Sequence, residues 1–114
     1  MTHGVKTIII PVRDLTAAKT LYRTVLGVEP YADEPYYVGF RVGDQEIGLD
    51  PNGHNHGMTA PVGYCHVDDA AASLGQAVDA GWRTRQGVKD VGAGALAAIV
   101  EDTDGNVLGF LQTC

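Results

Sequence analysis

Cysteine is scarce in this chain. Only Cys65 and Cys114 occur among 114 residues, too few for the disulfide framework of a small secreted scaffold. Cys65 falls in a strand-like run and is expected to be a buried free thiol acting as a small hydrophobe. Basic residues are also few, eight Lys and Arg against 14 Asp and Glu, for a net charge of −6. They are scattered and form no stripe that could grip phosphates, so nucleic acid is not an expected partner. No apolar run approaches the ~20 residues that span a bilayer, so no membrane partner is expected. The opening Met1–Lys6 lacks the basic region and apolar stretch of a signal peptide, which makes the cytoplasm the expected location. Gly92-Ala93-Gly94 lacks the lysine and following helix of a phosphate loop. No Ser-His-Asp nucleophile motif is legible either.

What is present is one pattern, met twice. Val5–Val12, "VKTIIIPV", reads as a strand. Asp14 then caps a helix over Leu15–Leu26 with an apolar stripe of Leu15, Ala18, Leu21, Tyr22 and Val25, stopped by Gly27. "PYYVGFRV", a Gly43-Asp44 turn and "QEIGLD" read as a hairpin. Residues 51–61 are a Gly/Pro/Asn/His-rich connector. Then Val62–Val67 is a strand, and Asp68 or Asp69 caps a helix over about Ala70–Ala80, ended by Gly81. A short strand near Trp82–Thr84, a Gly-rich loop, "ALAAIVE" and "NVLGFLQ" follow. The expectation is one domain over residues 1–114. It consists of a first module of about residues 4–50, the linker 51–61 and a second module of about residues 62–114. Asp14 matches Asp69, and Gly48 matches Gly109.

A two-residue turn at Gly43-Asp44 pairs Val42 with Gln45, Arg41 with Glu46 and Gly39 with Gly48. One face then carries Val38, Phe40, Val42, Ile47 and Leu49 and packs on the helices. The other carries Tyr37, Gly39, Arg41, Glu46, Gly48 and Asp50, a mixed set suited to the wall of a ligand cleft. In the second module Tyr64 and His66 share a face, as do Val107, Gly109 and Leu111. The candidate ligand-binding residues are therefore Tyr37, Arg41, Glu46, Gly48, Asp50, Tyr64, His66 and Gly109. His66, neutral near pH 7, can donate or accept a hydrogen bond. Tyr36 and Trp82 could stack on a planar ligand. Arg41 and Glu46 are expected to pair across the hairpin. His54 and His56, in "PNGHNHGMTAP", lie in a segment of turn residues, and their role is left open. Asp104-Gly105-Asn106 is turn chemistry.

"IIIPVRDLTAAKTLYRTVLGV", "GYCHVDDAAASLGQAVDAGW" and the closing "DTDGNVLGF" resemble, in order and spacing, the vicinal oxygen chelate superfamily of glyoxalases, bleomycin-resistance proteins and extradiol dioxygenases. The resemblance covers nearly the whole chain. It implies an α+β fold in which two βαβββ modules form a cupped mixed sheet with the helices outside, commonly as a homodimer. Metal-dependent members carry His or Glu at positions matched here by Thr7, Val62, Gly48 and Gly109, none of which supplies imidazole, carboxylate or thiolate. The expectation is thus no metal and no other cofactor. Gly109 reads as a ligand position emptied of its side chain, widening the cleft. The family's metal-free members sequester drugs such as bleomycin. By resemblance this chain would be a metal-independent small-molecule-binding protein, as in antibiotic resistance. The alternative is a glyoxalase-like lyase, isomerase or dioxygenase with displaced metal ligands, or an enzyme using His66 and Glu46 as acid and base.

Overall fold

The Asp14 carboxylate accepts the N–H of Ala17 at 3.1 Å, and Gly27 closes the helix with a left-handed φ of 72° that only glycine adopts at low cost. The first helix is therefore α1, Leu15–Leu26, in the computed structural model, which describes residues 2–113. Asp69 repeats the device, accepting the N–H of Ala72 at 3.1 Å to start α2, Ala70–Asp79. Around the helices lie β1 (Thr2–Pro11), β2 (Ala32–Glu34), β3 (Tyr37–Val42) and β4 (Gln45–Asp50), followed by a 3-10 turn at His54–His56. Then come β5 (Val62–Val67), β6 (Arg83–Gly92), β7 (Ala95–Glu101) and β8 (Val107–Gln112).

The chain condenses into two units. Residues 7–62 form one; the opening segment through Lys6 and the chain from Gly63 onward form the other. Hydrogen-bonded strand order is β2-β3-β4-β1 in the first module and β6-β7-β8-β5 in the second, the same order twice. In each, the module's first and last strands pair in parallel and the others antiparallel. This is the expected α+β arrangement of two βαβββ repeats.

The hairpin register is the one expected, with Val42 opposite Gln45, Arg41 opposite Glu46 and Gly39 opposite Gly48. Val38, Phe40 and Leu49 are almost wholly buried and, with Val12 and Ala18, make the core of the 7–62 unit; Leu15, Tyr22, Leu26 and Ile47 pack against it. Val42, expected on that face, is 40% exposed because it ends its strand at the turn. In the second module the buried hydrophobic set is Val62, Val67, Ala70, Ala97, Ala98 and Val100.

Three elements differ from expectation. β2, Ala32–Glu34, is not among the strands expected from the residues. β1 begins at Thr2, and β6 extends to Gly92, where a short strand and loop were expected. All of β6 except Gln86 is exposed, and its pairing with β7 shifts register three times. No apolar alternation marks it in the sequence, so periodicity could not find it. Cys65 is half-buried and free; Cys114 lies outside the described residues. No helix among the described residues is long and apolar enough to cross a membrane.

Candidate functional site

Gly39 and Gly48 sit side by side on β3 and β4. The space above each holds a tyrosine ring. A Cβ at Gly39 would stand 2.8 Å from the Tyr31 ring, and one at Gly48 2.7 Å from the Tyr37 ring and 2.8 Å from the Ile9 side chain. Both are closer than ordinary Cβ contacts, so any side chain at either position would displace the ring, and glycine here makes room for the aromatic rings.

The rings place two hydroxyls on one carboxylate. Tyr37 donates to Glu46 Oε2 at 2.7 Å, and Tyr31 donates to the same oxygen. Tyr31 is also anchored by its backbone N–H, which donates to the Gly39 carbonyl at 2.9 Å. Arg41 lies over the Tyr31 ring, 3.9 Å from its centroid, a cation–π contact. It is the cross-strand partner of Glu46, as expected, yet no ion pair joins them among the described residues. The carboxylate turns to the hydroxyls and the guanidinium to the ring.

Burial holds the Glu46 carboxyl above its ordinary range even with these hydroxyls on it. Burial likewise raises Tyr37; Arg41 opposes that shift and Asp50 adds to it. Asp50 spends its side chain on the following turn, accepting the Asn52 N–H at 2.8 Å. Of the expected residues in this unit, Tyr37, Arg41, Glu46 and Gly48 come together. Tyr31 joins them without having been expected. The signal was Gly39 opposite Gly48, a paired absence of side chains that needs two rings to cover it.

The second module repeats the glycine device. Tyr64 on β5 is the register partner of Gly109 on β8. Its ring lies so close that a Cβ at Gly109 would stand 2.8 Å from the ring's Cγ. The expected widening of the cleft at Gly109 is therefore overturned, because aromatic carbon occupies that volume. His66, two residues along the same face, is half-buried, and its imidazole is held below the usual histidine value by burial, then by Lys6 and His3. His3 itself bonds Asp68 at 2.8 Å, both exposed, a pair not foreseen because 65 residues separate them. In the closing turn, Asp102 accepts the N–H groups of Asp104 and Asn106 at 2.9 and 2.8 Å, which accounts for "DTDGN" as structure.

The donor set does not suit a divalent metal. Thr7 is buried at 3% exposure and Val62 at 5%, and the two glycines bear rings from neighbouring strands. No cluster of three or more His, Cys, Asp or Glu able to hold a metal occurs among the described residues. His54 and His56 lie on the 3-10 turn, where the His54 Nδ1 is buried without a hydrogen-bond partner.

The profile of the Glyoxalase/Bleomycin resistance protein/Dioxygenase superfamily matches residues 4–110. The chain belongs to that superfamily. Solved structures agree on the superfamily fold. A superfamily member from Vibrio splendidus superposes with a TM-score of 0.72 at 14% identity, over 100% of both chains. A methylmalonyl-CoA epimerase from Mycobacterium tuberculosis gives 0.72 at 17%, over 99% of this chain and 89% of that one. A protein from Legionella pneumophila described as an NAD-dependent benzaldehyde dehydrogenase gives 0.78 at 14%, over 95% and 98%. At such identities the likeness is one of fold. No curated protein matches the sequence.

Proposed function

We propose that this superfamily member is a metal-independent, cytoplasmic small-molecule-binding protein that sequesters a drug or metabolite. The observation that carries this reading is the Glu46 cluster. A partly desolvated carboxylate is fixed by Tyr31 and Tyr37, beside a guanidinium stacked on an aromatic ring. These are preorganised groups that orient a polar, aromatic ligand, while the positions that would carry metal ligands in the superfamily hold Thr7, Val62, Gly48 and Gly109. Tyr64 and His66 are proposed as ligand-binding residues of the second module, and a homodimer belongs to the same proposal, which sedimentation would test. A thermal-shift screen of aromatic natural products and antibiotics should find a ligand that raises the melting temperature of the wild type by mass action. The shift should shrink in Tyr37→Phe and vanish in Glu46→Ala. A ligand whose shift is the same in both variants would contradict the assignment of the site.

A second reading is favoured by the raised Glu46 carboxyl: acid/base catalysis without metal, with Glu46 taking or returning a proton and His66 as a further group. Isomerase chemistry has precedent among the similar folds, which include a methylmalonyl-CoA epimerase. Incubating acyl thioesters with the protein in D2O and following α-proton exchange by NMR tests it. Exchange lost in Glu46→Gln supports catalysis; no exchange leaves sequestration.

A further inference from the structure

On the helix side of the second module, an open pocket of about 310 Å³ lies between α2 and the sheet, with Gln76 exposed at its rim. Val67, Trp82, Leu108 and Phe110 supply its apolar walls. Ser73, Gln76 and Ala77 line it from α2, at the i, i+3, i+4 spacing of one helix face. Phe110 pairs with Cys65, whereas Tyr64 pairs with Gly109, so the pocket and the Tyr64–Gly109 contact occupy opposite faces of the sheet.

The repeat accounts for the open space. Counted from the caps Asp14 and Asp69, Ala77 is the counterpart of Tyr22, and Ala70 of Leu15. Tyr22 and Leu15 pack against the first module's core. Ala77 replaces the phenol with a methyl group and lines the pocket. Trp82 is fixed beside it, since its backbone N–H donates to the Ala77 carbonyl at 3.0 Å just after Gly81 turns with a φ of 112°. The space has the volume of a small ligand site, a tryptophan wall for a ring, and a hydroxyl and an amide for one polar group.

We propose that this pocket binds a small phenol or similar aryl alcohol, its ring against Trp82 and Phe110 and its hydroxyl bonded to Ser73 or Gln76. The site is independent of the Glu46 cluster. Titrating p-cresol into the full chain, followed by amide and indole NMR, should give saturable shifts at the Trp82 indole N–H and the Ser73 and Gln76 amides. Ala77→Tyr puts the phenol there covalently and should weaken p-cresol binding about tenfold or more by direct clash. If Ala77→Tyr does not fold, Ser73→Leu blocks the same space from the neighbouring position. The proposal is overturned by no saturable shift up to the solubility of p-cresol, or by undiminished affinity in a folded, filled variant. Shifts centred on Tyr64 and Gly109 would overturn it as well, because those residues face the other way.

Discussion

Beneath α1, Leu15 and Tyr22 reach a core of Val38, Phe40 and Leu49. At the corresponding positions of the second module stand Ala70, Ala77, Ala98, Val100 and Phe110. The strand order is the same, but four of these five positions carry smaller side chains in the second module, only Phe110 being larger than its counterpart Leu49, and an open pocket remains beside α2. On the opposite face the modules diverge in polarity. The first gathers a carboxylate, two phenols and a guanidinium; the second places a tyrosine ring on Gly109 and a histidine of depressed basicity nearby. The two modules share one backbone plan because strand pairing and helix caps are set by local chemistry. Side-chain volume and charge differ between them: one module has a tight core and a polar face, the other smaller side chains beneath its helix.

The sharpest way to break this comparison is to delete its largest fully buried side chain, Phe40. Phe40→Ala should cost about 3–5 kcal/mol in urea unfolding. Val100→Ala, at the matching position of the second module, should cost clearly less, since fewer methyl groups leave. Equal losses would deny the difference in packing. Next in size, Gly48→Ala and Gly109→Ala should each cost about 1–3 kcal/mol, through overpacking against Tyr37 and Tyr64. Adding Tyr64→Ala should recover part of the Gly109→Ala loss, a coupling that a double-mutant cycle measures. Additive losses would mean the ring is not what the glycine accommodates.

Two smaller effects follow from charge. Glu46 has a folded pKa raised by burial. Its stabilising contribution is fully present below the ordinary carboxylate value and is lost as pH rises through the raised one. Wild type should therefore lose stability relative to Glu46→Gln as pH climbs above about 4.5, the ordinary value. His66 has the opposite sign of dependence. Its folded pKa is depressed, so its contribution is present above the unfolded value of about 6.5 and is lost as pH falls through the lower folded one. His66→Gln should flatten the acid limb of the stability profile below that pH. Melting temperatures across the pH range check both.

The caps, the hairpin register and the repeat were legible in the chain because each rests on a few adjacent residues: Asp14, Gly27, Gly43-Asp44, Asp69. The full length of β6 was not, since exposed residues without alternation leave no period to read. Of the Glu46 cluster, Tyr37, Arg41 and Glu46 could be placed from register alone. Tyr31 could not, because it enters from a connection before β2 and meets Glu46 only through the tertiary fold. The glycines were legible as positions stripped of a side chain. What approaches them is a matter of side-chain direction, which spacing does not encode, and so Tyr37 and Tyr64 were read as cleft residues and not as the covers of Gly48 and Gly109.

The central claim, ligand binding without a metal, is tested most directly by elemental analysis of untagged protein together with thermal shift on adding nickel, zinc, manganese or iron. The account predicts well under one equivalent of metal per chain and no shift with any of the four. About one equivalent, with a large shift abolished in Glu46→Ala or His66→Ala, would contradict it and restore a metal centre to this fold.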